Sequence, residues 1–134
     1  MPYIEFQKVS KRYITGDVEL LALDEADFFI EKGELAVIVG QSGAGKTTLL
    51  NILGGMDRPT DGSVFLDGRD VSKLSNKELA LYRRNEIGFV FQFYNIMASL
   101  TARENVELAT EIAVNPLDID EIMEAVGLKE RADH

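Results

Sequence analysis

The chain has no cysteine, a single histidine, and 14 lysines and arginines against 23 aspartates and glutamates. Without cysteine there is no disulfide scaffold and no Cys-ligated metal site, and the composition fits a reducing compartment. The net charge of −9 argues against a nucleic-acid-binding surface, which needs a basic footprint. It argues equally against direct adhesion to anionic lipid headgroups. No apolar run approaches the ~20 residues a membrane-spanning helix requires, and the first residues lack the pattern of a signal peptide. The expectation is a soluble chain, or one held at a membrane only through partners, with no direct insertion.

What is present is enough for one globular domain: 134 residues, 46% of them apolar. Residues 3–9 alternate apolar and polar and read as a half-buried strand. Residues 18–30 read as a strand or two, ending at the turn Glu31, Lys32, Gly33. The run LAVIV at residues 35–39 is apolar on both faces, as in a parallel sheet covered by helices. A helix follows over residues 46–53, with Gly54 and Gly55 as its stop. Asp-Gly pairs at 61–62 and 67–68 read as turns bracketing a short strand over residues 63–66. Ser75 with Glu78 and Thr101 with Glu104 form capping boxes that open helices running to about residues 84 and 112. IGFVF at residues 87–91 is another buried-strand candidate, and Asp118 opens a last helix that Gly127 stops.

The most specific feature lies between the LAVIV run and the first helix. Gly40, Gln41, Ser42, Gly43, Ala44, Gly45, Lys46 and Thr47 fit G-x-x-x-x-G-K-[ST] in full. Such a loop wraps backbone N–H groups around phosphate oxygens, and its glycines permit the close approach and the unusual dihedrals. The helix after Gly45 points unpaired N–H groups and its positive dipole end at the same anion. Lys46 adds a charge that reaches the β- and γ-phosphates, Thr47 presents a hydroxyl to Mg²⁺, and Thr48 is placed for the α-phosphate. Gln41 occupies a variable position and carries no inference. An acidic chain that binds ATP must concentrate positive potential locally, and this loop does so. The bare pattern arises by chance in roughly one chain in a few hundred of this length. A solvated lysine on a Gly-rich strand-to-helix turn is the competing structural account.

The loop GQSGAGKTT, the following LLNILGGMDRPTDGSVFLDGRDV and the segment IGFVFQ resemble the ATP-binding subunits (nucleotide-binding domains) of ABC transporters. The stretches KRYITGDVELLALD and IGFVFQFYNIMASLTARENVELA are similar to one subgroup, the ATPases of lipoprotein-release, macrolide and antimicrobial-peptide exporters and their cell-division relative. The resemblance implies an α/β P-loop NTPase fold. An antiparallel β portion comes first, then a parallel core around the loop, then the start of a helical subdomain, with the sheet incomplete. It divides the chain into a partial ATP-binding core over residues 1–95 and the start of the helical subdomain over 96–134. It assigns Tyr13 to stacking on adenine, where a packing or surface tyrosine is the alternative. It assigns Gln92 to Mg²⁺ or the attacking water, where a buried glutamine satisfying backbone groups is the alternative. Phe93, Tyr94, Ile96, Met97 and Leu100 line either a groove for a short helix of a transmembrane permease subunit or ordinary subdomain core. Asp24, Asp27, the acidic residues at 57–61 and those at 118–124 read as solvated faces or caps, and His134 is given no role.

The resemblance also implies motifs that these residues do not contain: the signature LSGGQ, an apolar strand ending in Asp-Glu, and a switch histidine. The 134 residues alone are therefore expected to hydrolyse ATP poorly, to be part of a longer protein, and to associate through an open sheet edge. In the complete protein two such domains would sandwich two ATP molecules at the inner face of the cell membrane, driving export or membrane extraction of a substrate. Regulation of cell-wall remodelling at division, or nucleotide binding without turnover, are the alternatives.

Overall fold

The computed structural model describes residues 2–134. They fall into two compact units, one ending at Arg83 and the other Arg84–His134.

The first unit is built on a long hairpin. Strands β1 (Ile4–Thr15) and β2 (Val18–Ile30) run antiparallel from Ile4 opposite Ile30 to Thr15 opposite Val18. The two-residue loop places Gly16 first with φ 60°, which suits a hairpin turn matched to strand twist. Strand β3 (Asp61–Leu66) pairs with the other side of β1, and β4 (Arg69–Asp70) completes the order β2-β1-β3-β4. Phe6, Val9, Leu23, Val64 and Leu66 bury one face of this sheet. Ile52 from helix α1 (Lys46–Leu53) and Leu79 and Tyr82 from helix α2 (Asn76–Glu86) are buried with them. Tyr82 donates its hydroxyl to the Leu53 carbonyl at 2.6 Å, and Arg83 Nη1 donates to the Gly55 carbonyl at 2.8 Å, so α2 satisfies backbone acceptors at the end of α1. The Ser75–Glu78 capping box forms as expected, with bonds of 3.1 and 3.2 Å.

β1 is irregular in mid-strand. Its register against β2 shifts between Phe6 and Val9, and again between Val9, Lys11 and Arg12. Lys8 and Glu25 take positive φ there, and polar side chains satisfy the displaced amides. The Lys8 N–H donates to Asp27 Oδ1 and the Glu25 N–H to Ser10 Oγ, both at 2.9 Å. Asp27 is thus a backbone acceptor rather than only a solvated face. β3 stays paired with β1 only as far as Ser10 opposite Asp61. Beyond that point β1 has β2 alone as a ladder partner, and residues 11–15 form a two-stranded overhang.

The second unit carries helices α3 (Ala102–Thr110) and α4 (Ile119–Ala125). Both caps form as read: Thr101 and Glu104 exchange bonds of 3.0 and 3.1 Å, and Asp118 accepts from the Asp120 and Glu121 amides. Asn105 ties the preceding loop to α3, accepting from the Met97 N–H and donating to the Met97 and Thr101 carbonyls. Among the described residues no helix is long and apolar enough to cross a membrane.

Two expected strands do not form. Residues 35–39 and 87–91 have no ladder partner among the described residues, so the parallel core is absent from this sheet. The LAVIV run is consequently open to solvent: Leu35 is 90% exposed and Val39 84%. A strand exists through its neighbour's hydrogen bonds, and the apolar sequence cannot supply those itself. Another expectation fails locally: Asp61-Gly62 is the start of β3, not a turn before it. Gly62 has φ 90°, and a Cβ there would lie 2.2 Å from the Lys8 carbonyl oxygen. Gly62→Ala is therefore expected to destabilise the chain by roughly 2 kcal/mol or more, read as a lower urea midpoint at unchanged slope.

Candidate phosphate-binding site

The loop at 40–45 reaches α1 through a glycine held in two ways. Gly45 is the N-cap residue with φ 96°, a conformation other residues adopt only under strain. A Cβ on it would also lie 2.4 Å from the Ala22 carbonyl oxygen and 3.1 Å from Leu23 Cδ2. The loop thus rests directly on β2. Gly43 takes φ 84° in open space, so only its backbone requires glycine. The Ala44 N–H bonds the Gln41 carbonyl at 3.0 Å and closes the turn.

The start of α1 is left available to an anion. The Leu49 N–H begins the helical ladder on the Gly45 carbonyl at 2.9 Å. No side chain caps Gly45, and the first turn holds no acidic residue. The amides of residues 46–48 point outward with the positive end of the helix dipole behind them. Lys46 donates its ammonium to the Gly40 carbonyl, curling back over the loop. A Cβ at Gly40 would sit 3.3 Å from the Ala44 Cβ and 3.7 Å from Lys46 Cδ, so glycine keeps that path clear. Thr47 is exposed and Thr48 half-buried. Uncapped donors, a lysine and glycines that let backbone approach a ligand fit a bound polyphosphate. Among the described residues no cluster of three His, Cys, Asp or Glu side chains could hold a metal. Mg²⁺ that arrives with phosphates and waters needs only a hydroxyl such as that of Thr47.

Tyr13 comes to this site through the overhang of β1. Its hydroxyl donates to Asp57 Oδ2 at 2.8 Å, and Lys11 Nζ stands 5.2 Å from its ring centroid. Burial and the hydrogen bond to Asp57 push the phenol up from its ordinary value, while the Thr48 hydroxyl pulls it the other way. The tyrosine and the first turn of α1, 35 residues apart in sequence, are therefore neighbours. Asp57 lies in the segment read from sequence as solvated faces or caps, and that reading is corrected. Its Oδ1 accepts from Lys11 Nζ at 3.0 Å and from the Arg58 N–H at 2.8 Å. Lys11 also donates to the Arg58 carbonyl at 2.8 Å. No sequence pattern marks this cluster, because its members come from β1 and from the turn after α1.

Gln92 belongs to the second unit and is exposed. Phe93, Tyr94, Ile96 and Met97 are also exposed, at 77, 93, 65 and 54%, and Leu100 is half-buried.

The ABC transporter family pattern matches residues 23–134. The chain belongs to the ABC transporter family. It is 44% identical, over 99% of its length, to the macrolide export ATP-binding/permease protein MacB of Hyphomonas neptunium. It is 44% identical, over 98%, to an ABC transporter ATP-binding protein of Thermotoga maritima. Its structure superposes on the bacterial ABC transporter cassette MJ0796 with a TM-score of 0.87 at 36% identity, covering 98% of this chain. The same protein is described in a dimeric post-hydrolysis state bound to ADP and Pi, at 35% identity and the same TM-score. The ABC chain described here spans 21% of the length of the MacB relative, 58% of the Thermotoga protein and 60% of the solved cassettes.

The Asp57 cluster gives this ABC chain a pH signature. Burial alone would raise the carboxyl, but hydrogen bonds from Tyr13, Lys11 and the Arg58 amide outweigh it and hold the group below its ordinary value. A carboxyl depressed on folding contributes stability that is complete above its unfolded value of 3.8 and is lost as pH falls through the lower folded value. Asp57→Asn is expected to remove that part of the acid destabilisation. Thermal melts between pH 7 and pH 2 check it, the mutant curve being flatter than wild type at the acid end.

Proposed function

We propose that this chain is the ATP-binding part of an ABC-transporter ATPase that couples ATP binding and hydrolysis to export or membrane extraction of a substrate. The observation that carries the reading is the uncapped N-terminus of α1 behind a loop whose Gly43 and Gly45 take left-handed dihedrals. The backbone of Gly40, Ser42, Gly43, Ala44 and Gly45 cradles the phosphates. Lys46 leaves the Gly40 carbonyl for the β- and γ-phosphates. Thr48 takes the α-phosphate, and the base stacks on Tyr13. Thr47 would hold Mg²⁺, which when bound would offset the charge of the transferring phosphoryl group. On the family resemblance Gln92 would serve Mg²⁺ or the attacking water.

The partners follow from the same reading. A second copy of the ATPase closes over the nucleotide, as the dimeric cassettes to which the chain is similar support. A transmembrane permease subunit docks at Phe93, Tyr94, Ile96, Met97 and Leu100, whose exposure suits a helix-in-groove contact. The MacB relative carries ATP-binding and permease functions in its name, which supports a membrane partner; a place at the inner face of the cell membrane belongs to the same proposal. The 134 residues by themselves bind ATP and turn it over poorly, since positioning of water falls to Gln92 alone.

The test is equilibrium binding of Mg-ATP to wild type and Lys46→Ala. Loss of the lysine's charged hydrogen bonds is expected to weaken binding by about tenfold to a hundredfold, with the melting temperature in the absence of nucleotide unchanged. Equal affinity in the two proteins would sink the phosphate-loop reading.

A further inference from the structure

Strand pairing does not by itself hold the Tyr13 ring. Tyr13 sits opposite Leu20 on the overhang of β1, beyond Ser10, where pairing with β3 has ended. A two-stranded ribbon is marginal alone, and a ring 36% exposed has little packing to choose its rotamer. What fixes it is polar. Asp57 divides its two oxygens, Oδ2 taking the Tyr13 hydroxyl and Oδ1 taking Lys11 Nζ and the Arg58 N–H. Lys11 at the same time faces one side of the ring. Bonds to an ionised carboxylate are about twice as strong as neutral ones, and this carboxylate is only partly exposed.

We infer that Asp57 is a positioning residue for base recognition: anchored by Lys11 and Arg58, it holds the Tyr13 hydroxyl beside Thr48 in the first turn of α1 and so fixes the ring on which a base can stack. The inference rests on the ATP-binding reading and names a residue outside the phosphate loop on which that reading depends. Asp57 touches no phosphate and acts through Tyr13 alone, so its effect is confined to ligands that carry a base.

Binding of Mg-ATP and of Mg-tripolyphosphate, which lacks base and sugar, is measured for wild type, Tyr13→Phe, Asp57→Asn and the double variant. Tyr13→Phe removes one oxygen and keeps the stacking face, so it removes the Asp57 bond, together with the Thr48 contact, without the folding risk of altering the carboxylate. Each single variant is expected to weaken ATP by about tenfold, the worth of one charge-assisted bond, with tripolyphosphate unchanged. The double variant loses no more than the worse single, because both remove the same interaction. An unchanged ratio of ATP to tripolyphosphate affinity in Tyr13→Phe, or additive losses in the double variant, overturns the role of Asp57 while leaving ATP binding intact. Wild type that binds neither ligand overturns the ATP-binding reading, and this inference with it.

Discussion

The contact on which the site depends is the passage of Gly45 over β2. The loop has to turn left-handed there and also run close to the Ala22 carbonyl, and a side chain at position 45 would meet that oxygen at 2.4 Å. Both demands select glycine. The contact sets the height of α1 above the sheet, and Ile52 at the other end of the helix is buried with the sheet side chains. An anion site made of backbone amides cannot be adjusted by choosing another rotamer. Its position is inherited from the strand below.

The rest of the first unit serves that placement with polar groups where apolar packing is thin. The overhang of β1 carries Lys11, Arg12 and Tyr13 toward the turn after α1. There the Arg12 N–H donates to Thr60 Oγ1 at 2.9 Å, and Lys11 and Tyr13 converge on Asp57. The acidic excess of the chain is thus not uniformly solvent-facing. One carboxylate brings a cation and a phenol together, and a stretch of exposed ribbon gains an orientation that its ladder does not provide. At the loop the sign is opposite: an uncapped helix start and Lys46 gather positive potential in a chain of net charge −9.

Local signals in the sequence were legible and long-range ones were not. Strand β2 and helix α1 run over the residues expected of them, because a Gly-bounded apolar run and a helix between Gly45 and Gly54 are written in adjacent positions. The capping boxes at Ser75 and Thr101 are four-residue statements and form as read. β1 runs six residues past its alternating segment, to Thr15, because pairing with β2 carries it on after the apolar pattern stops. Residues 35–39 and 87–91 have strand composition but no ladder partner among the described residues, since pairing takes two segments and composition describes only one. The phosphate loop was readable because its chemistry is carried by neighbours in sequence. Asp57 was not, because its partners Lys11 and Tyr13 stand more than forty residues away and nothing in DRPTDG marks them.

The hairpin of β1 and β2 also has a bearing on the order of folding. Two long strands joined through a two-residue loop make contacts of short sequence separation, with little entropy lost in closing the chain. β3 must return from more than thirty residues further on, and the seat for Gly45 on Ala22 does not exist until β2 is in place. The ribbon is therefore the part of this unit whose pairing costs the least chain entropy. The phosphate loop takes its geometry from β2, so it cannot be set before that strand is.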